Sequence, residues 1–290
     1  MIVARPPAPP FDYHRPETLA EALELIGDGE AAALAGGTDV VTLRNDGVIA
    51  PGRLVDVKHL EELRGVRAAD GGLWIGAAVT CAQLAELSEP ALGALSDGAG
   101  IVGATQTRAR ATVGGNVCRS SPAGDTLCGL LVLGAQAELR SRRVTRRVAL
   151  ADFFTGPGRN DRAADELLVG LLLPEPRGGS AYARFTYRKS MDLAVVGVAC
   201  RVDVEAGCCV DASVAIGAVA PTPLLVPEAA QALAGSAGDP EAVERALDAV
   251  TRAATPIDDV RGSARHRLKV LRPLARDVIA AAFERAGRGA

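Results

Sequence analysis

Two glycine pairs constrain this chain more than any other feature. The first lies in Leu34-Ala-Gly-Gly-Thr-Asp39 and the second in Thr112-Val-Gly-Gly-Asn116. Each pair removes Cβ atoms where a backbone can approach a ligand, and glycine also tolerates positive φ. Successive free N–H groups in such a turn form a concavity for an anion. Thr38, Thr112 and Asn116 add short hydrogen-bonding side chains. One glycine pair alone is an ordinary tight turn. Two pairs, each beside a threonine, could clamp a diphosphate from both sides. Neither segment reads G-x-G-x-x-G after a strand or G-x-x-x-x-G-K-[ST]. A nicotinamide dinucleotide fold and a nucleoside-triphosphatase phosphate loop are therefore both disfavoured.

Around these segments the pattern mixes helix and strand periods. Thr18 and Glu21 form a capping-box signature, with Leu19, Ala22, Leu23 and Ile26 at helical spacing behind it. Residues 31–35, 53–57 and 73–79 read as strands. Thr80 to Gln83 caps a short helix, and residues 92–102 read as another. The stretch 106–125 is polar and glycine-rich, and 127–132 is apolar. Residues 135–150 read as a hairpin crowded with Arg140, Arg142, Arg143, Arg146 and Arg147. That cluster is either a solvated strand edge or an electrostatic handle for an acidic partner. Residues 167–173 read as a buried strand ended by Pro174, after which Gly178 and Gly179 loosen the chain and mark a domain boundary. Beyond it, strands over 194–204 and 210–219 precede helices from Pro240 and Arg265. Pro273 is expected to kink the last helix or to begin a new one. Strands followed by helices make the class α+β.

Composition removes several functions. The chain has 290 residues, 48% hydrophobic and 23% charged, enough for a sizeable core. Aromatics are only 3%, so that core is aliphatic. Lys+Arg number 32 against 35 Asp+Glu, a net charge of −3, which is not a nucleic-acid footprint. The proline-rich opening, Met1 to Phe11, has no apolar signal-peptide region, and no apolar run approaches the roughly 20 residues of a membrane span. The expected location is the cytoplasm. The six cysteines form no C-x-x-C and no C-x₄-C-x₂-C run. They read as reduced thiols, with no iron–sulfur cluster on this chain. His14, His59 and His266 are scattered, as surface or satisfied structural residues. Ser120 and Ser121 have no histidine near them in sequence, so nucleophilic hydrolysis is unsupported. No catalytic side chain and no metal ligand is expected.

The sequence resembles the FAD-binding medium subunit of the molybdenum hydroxylases, the family of xanthine dehydrogenase and aerobic carbon monoxide dehydrogenase. The resemblance starts with PPFDYHRPETLAEALELI (9–26) and runs through LAGGTDVVTLRNDG, RLVDV and IGAAVT. It continues in GATQTRARATVGGNVCRSSPAGDT (103–126), DFFTGPG and DELLVGLLLP. It ends with RFTYRKSMDLAVVGVA (184–199), IGAVAPTP (216–223) and VRGSARHR (260–267).

The resemblance implies a two-subdomain α+β FAD domain of the PCMH type over residues 1–177, with subdomains of about 1–58 and 59–177. A smaller α+β C-terminal domain of antiparallel sheet and helices would occupy 178–290. It implies that Leu34, Ala35, Gly36, Gly37, Thr38, Asp39 and Val40 grip the FAD diphosphate, with Thr112, Val113, Gly114, Gly115 and Asn116 opposite. Asp125 would accept from ribityl hydroxyls, and Val102, Leu168 and Arg184 would lie along the cofactor. Arg184 is either a cation offsetting cofactor charge or a solvated strand arginine. Two residues depart from the family pattern: Arg119, where a small or neutral polar residue is usual, and Tyr187, where Pro or a small residue is expected. The implied activity is electron transfer from a partner's [2Fe-2S] clusters through FAD to an external acceptor. The partners are a large molybdenum-cofactor subunit and a small iron–sulfur subunit, in a heterotrimer or a dimer of heterotrimers. Residues 31–56 contain no His, so the FAD is expected to be held non-covalently. Two alternatives stand beside this reading: a stand-alone FAD-dependent oxidase of the same superfamily, and a flavin-free scaffold. The substrate of the complex and its terminal acceptor are not written in this chain.

Overall fold

The structure, a computed structural model, describes residues 9–69 and 71–288. The proline-rich opening through residue 8 lies outside them. The chain begins with β1 (Asp12–His14), α1 (Leu19–Ile26), β2 (Ala31–Leu34), α2 (Val40–Asn45) and β3 (Arg53–Asp56). These strands form a small parallel sheet of order β1-β3-β2. Thr18 caps α1 by accepting from the Glu21 amide at 3.2 Å. The reciprocal bond goes elsewhere: the Glu21 carboxylate takes the Glu17 amide at 2.8 Å, so only half of the capping box forms. The box at Thr80 and Gln83 is complete and starts α3.

The next unit contains β4 (Val66–Ala69), β5 (Gly72–Gly76), α3 (Cys81–Leu84), α4 (Gly93–Gly100), α5 (Thr105–Arg108), α6 (Val113–Arg119) and α7 (Asp125–Val132). It continues with β6 (Gln136–Arg140), β7 (Thr145–Ala149), α8 (Leu150–Phe153), β8 (Phe154–Gly156), β9 (Arg159–Asn160) and β10 (Leu167–Pro174). Its main sheet is antiparallel, in the order β4-β5-β10-β6-β7. The central strand β10 shifts register between Leu168 and Gly170. Glycine is needed there because the Trp74 ring lies across the strand: a Cβ would stand 2.6 Å from Trp74 Cε2. The polar stretch 106–125 contains two helices that its composition hides, and α6 carries the second glycine pair.

The arginine-bearing hairpin forms as expected, but its charges are neutralised from within. Arg140 and Arg147 both bind Glu138, Arg142 binds Glu24 at 2.8 Å, and Arg146 binds Glu166 at 2.6 Å and Asp161 at 2.5 Å. Of the five, only Arg143 has no acidic partner among the described residues. The cluster pins the hairpin to α1 and to the loop before β10.

The last unit is β11 (Gly179–Phe185), β12 (Val196–Glu205), β13 (Cys208–Gly217), β14 (Leu224–Leu225), α9 (Pro227–Leu233), α10 (Pro240–Ala253) and α11 (Ala264–Arg288). Its antiparallel sheet runs β11-β12-β13-β14. Side chains alternate across a strand, and here both faces are buried. Val198, Cys200 and Val202 enter a core with α9, α10 and α11, while Ala199 and Ala215 join the first core. The glycines at 178–179 do not loosen the chain. A Cβ at Gly179 would stand 2.6 Å from the Ala282 carbonyl oxygen, so the strand starts hard against α11. Pro273 lies inside α11, which begins at Ala264 and is not divided there.

Overpacking a full core typically costs 1–3 kcal/mol. Gly170→Ala is expected to lower stability by about 2 kcal/mol, read from denaturant unfolding.

Candidate functional site

The glycine pairs meet because one of them admits a backbone. A Cβ at Gly36 would lie 2.8 Å from the Arg110 carbonyl carbon and 3.0 Å from Ala111 Cα, so the loop after β2 rests on residues 110–111. Those residues lead into the second pair. Residues 111–114 are bound to 77–81 by Cys81 N–H to Ala111 O (2.8 Å), Val113 N–H to Val79 O (2.9 Å) and Gly114 N–H to Ala77 O (2.9 Å). Gly114 allows this contact, since a Cβ there would stand 2.6 Å from Ala77 Cβ. Thr112 caps α6 by accepting from Gly115 N at 3.1 Å.

The two segments therefore offer different donors. Among the described residues no acceptor takes the amides of Gly36, Gly37, Thr38 or Asp39, and Gly37 sits at φ +79°. This is an open concavity of N–H groups. The second segment does not repeat it. Its amides from Val113 to Asn116 are taken by Val79, Ala77 and Thr112, because the segment is a helical turn rather than a loop. What it offers instead is space and side chains. Gly115 is exposed, and a Cβ there would meet only Thr112 Oγ1, at 3.0 Å. Asn116 accepts from Thr126 Oγ1 at 2.9 Å, and its Nδ2 donates to no described residue.

Asp125, beside Thr126 at the start of α7, is buried. Tyr182 donates its hydroxyl to Asp125 Oδ1 at 2.9 Å, and the Arg184 guanidinium binds Oδ2. Arg184 also donates to the Ile101 carbonyl at 3.0 Å, which places it against Val102. Its side chain is 5% exposed. Arg184 is thus neither a solvated strand arginine nor a free cation; its charge is committed to Asp125. Burial pushes the Asp125 carboxyl up to about 6, against the pull of Arg184 and Tyr182. Leu168 is buried in the first core beside Val169, whose carbonyl takes the Ala77 amide at 2.9 Å.

Apart from Leu168, which lies in the first core, the expected residues fall on one connected set of contacts running from the first loop through 110–116 to Asp125, Arg184 and Val102. Arg119 adds a link, with its Nε 3.2 Å from Asp39 Oδ1. Tyr187 is 61% exposed, and its ring lies 6.1 Å from His266 and 5.5 Å from Phe185. His266 Nε2 is buried without a hydrogen-bond partner, so it is not the satisfied histidine expected. Sequence reasoning missed Tyr182, although its signal was present: Tyr182 and Arg184 are two apart on a strand and share a face.

Among the described residues no group of three or more His, Cys, Asp or Glu could hold a metal, and no helix is long and apolar enough to cross a membrane. Residues 9–176 match the family model described as the FAD binding domain in molybdopterin dehydrogenase, and residues 180–282 match the CO dehydrogenase flavoprotein C-terminal domain. The chain is 34% identical over 282 residues to the putative xanthine dehydrogenase FAD-binding subunit of Escherichia coli (strain K12), covering 95% of this chain and 97% of that one. It is 32% identical over 281 residues to the carbon monoxide dehydrogenase medium chain of Afipia carboxidovorans, covering 95% and 98%. Among solved structures it superposes on a chain of reconstituted CO dehydrogenase from Oligotropha carboxidovorans with a TM-score of 0.91 and 30% identity, covering 97% of this chain and all of that one.

A carboxyl whose pKa is raised by folding opposes folding when ionised. The contribution of Asp125 to stability therefore falls as pH rises from about 4 to about 6 and stays low above. Arg184→Met removes the charge that favours the carboxylate. The Asp125 carboxyl carbon, followed by NMR, is expected to titrate near 6 in the parent and to remain protonated at neutral pH in the variant.

Proposed function

The chain belongs to the family of FAD-binding medium subunits of the molybdenum hydroxylases, the xanthine and carbon monoxide dehydrogenases, and on that premise we propose that it works as the electron-transfer subunit of such a complex. Its cofactor is FAD. The observation that carries the reading is the run of unpartnered amides from Gly36 to Asp39, held against residues 110–111, which lead into the turn that carries the exposed Gly115. These residues fit a diphosphate. Backbone amides supply the donors on one side, and the other side has no Cβ at Gly115 to fill the space. Thr112 and Asn116 add a hydroxyl and a free amide nitrogen.

When bound, FAD supplies the redox chemistry, taking and passing electrons singly or as hydride. This chain holds and orients it. The backbone from Leu34 through Ala35, Gly36, Gly37 and Thr38 to Asp39 and Val40 would hold the diphosphate together with Thr112, Val113, Gly114, Gly115 and Asn116. Asp125 would accept from the ribityl hydroxyls. An ionised carboxylate has about four acceptor sites, and Tyr182 and Arg184 take one on each oxygen, which leaves room for two more bonds. Val102 and Leu168 would supply apolar wall, and Arg184 would favour the charged form of the Asp125 carboxylate. The absence of His from residues 31–56 supports non-covalent attachment.

The family and the medium-chain name of a relative support a complex with a large molybdenum-cofactor subunit and a small iron–sulfur subunit. Electrons would enter from the partner's clusters and leave to an external acceptor. The division into 1–177 and 178–290 goes with this reading, the first unit holding the diphosphate and the second reaching the site through Tyr182 and Arg184.

Native co-purification followed by subunit mass analysis tests the assembly. The expected result is two further subunits, one carrying molybdenum and one iron. Recovery of the chain alone, with oxidase activity on a small organic substrate, would favour a stand-alone oxidase. Acid precipitation is expected to release FAD into the supernatant; flavin remaining on the precipitate would contradict non-covalent attachment.

The glycines separate fold from binding. Gly115→Val is expected to keep the apoprotein folded but weaken FAD affinity about a hundredfold, roughly 3 kcal/mol. Gly114→Val is expected to lower apoprotein stability itself, because its side chain would collide with Ala77. Equilibrium dialysis and thermal unfolding read the two effects.

A further inference from the structure

Tyr182 is the buried one of the three tyrosines; Tyr13 and Tyr187 are more than half exposed. It lies on β11, the edge strand of the third sheet, and is held at both ends. Its hydroxyl donates to Asp125 Oδ1 at 2.9 Å. Its backbone N–H, on the free edge of the strand, donates to Asp97 Oδ2 of α4 at 3.0 Å. Asp97 is gripped in turn by Arg285 of α11 at 2.6 and 3.0 Å. The same guanidinium takes the Ser180 carbonyl at 2.7 Å. Ser180 is fully buried; its Oγ donates to Ala91 O at 2.6 Å and accepts the Ala94 amide at 2.8 Å. An edge that would otherwise show unpaired backbone is thus docked onto α4 by side chains.

The geometry at Asp125 is closed from two directions. Tyr182 holds one carboxylate oxygen and Arg184 the other. A carboxylate bonded on both oxygens cannot turn about its Cβ–Cγ bond without breaking one of them. We propose that Tyr182 is a positioning residue for FAD: its hydroxyl fixes the Asp125 carboxylate in one rotamer for the cofactor, and the Asp97–Arg285 pair holds Tyr182 where it can do so. This rests on the FAD reading above. Tyr182 does not touch the reacting atoms; it acts through Asp125.

The consequence is a pH dependence of binding. The groups that face Asp125 are Tyr182 and Arg184 from β11, Cys81 from α3 and Cys128 from α7 itself. Burial pushes the thiols of Cys81 and Cys128 up to about 12. Burial likewise raises the Tyr182 phenol well above its ordinary value, so it stays a donor. Asp125, pushed up to about 6, is the one member of this set that changes charge between pH 5 and 8. A hydrogen bond to the carboxylate form favours that form. Losing the phenol must therefore move the titration upward.

The test measures the FAD dissociation constant of reconstituted apoprotein by flavin fluorescence from pH 5 to 8.5. For the parent, affinity is expected to fall as pH drops through about 6. Tyr182→Phe fills the same space and removes only the hydroxyl. It is expected to bind FAD about tenfold more weakly at pH 7, with the midpoint of the pH profile raised by about one unit. Asp97→Ala keeps the hydroxyl but frees the strand edge; it is expected to shift affinity and midpoint in the same direction by less. A Tyr182→Phe profile with the parent's midpoint, or an affinity loss equal at every pH, would overturn the proposal. A parent protein that binds no FAD at any pH would instead overturn the reading on which it rests.

Discussion

The contact between Gly36 and the backbone of residues 110–111 is the constraint on which the site depends. There is no room for a Cβ there, and closing that gap brings the end of the first sheet against the entry to α6. The Ala111 carbonyl still accepts from Cys81, and the amides of Val113 and Gly114 still find Val79 and Ala77. The turn from Gly36 to Asp39 keeps open donors among the described residues, and a bound anion is what would satisfy them.

Four glycines at the site perform four tasks. Gly36 admits a backbone, Gly37 supplies φ +79°, Gly114 lets α6 lie on residue 77, and Gly115 leaves space toward solvent. Only the last acts by what it does not put in a ligand's way. This explains why an identical pair of letters makes an amide-lined loop in one place and the first turn of a helix in the other. The difference is set by what lies beneath each pair.

Charge follows a similar economy. The chain is rich in arginine, yet many arginines are spent internally. Arg146 is committed to Glu166 and Asp161, Arg267 to Asp259, Arg285 to Asp97 and Arg184 to Asp125. Several of these pairs join segments far apart in sequence, and the last two join α11 and β11 to α4 and α7. Removing one partner of the buried Arg184–Asp125 pair is costly because the other charge is left unpaired. The pairs therefore specify how the units dock more than they add net stability. At the first glycine loop the open donors are backbone amides, while the Arg184 charge is spent on Asp125.

Much of this molecule was legible from local pattern. The hairpin at 136–149, the strand at 167–174, the capped helices after Thr18 and Thr80, and the α+β class all follow from periodicity, caps and breakers, which act over a few residues. The glycine segments could be singled out for the same reason, and the ordered motifs named the family. Tertiary structure decided what depends on neighbours distant in the chain. It turned 113–119 into a helix despite its two glycines, because 77–81 takes its leading amides. It drew Gly178 and Gly179 tight against α11 where composition suggested slack. It gave the hairpin arginines acids from α1 and the loop before β10, and it gave Arg184 to Asp125. A side chain's partner across 59 residues leaves no local trace, since burial and pairing are properties of the packed surfaces and not of the letters on either strand.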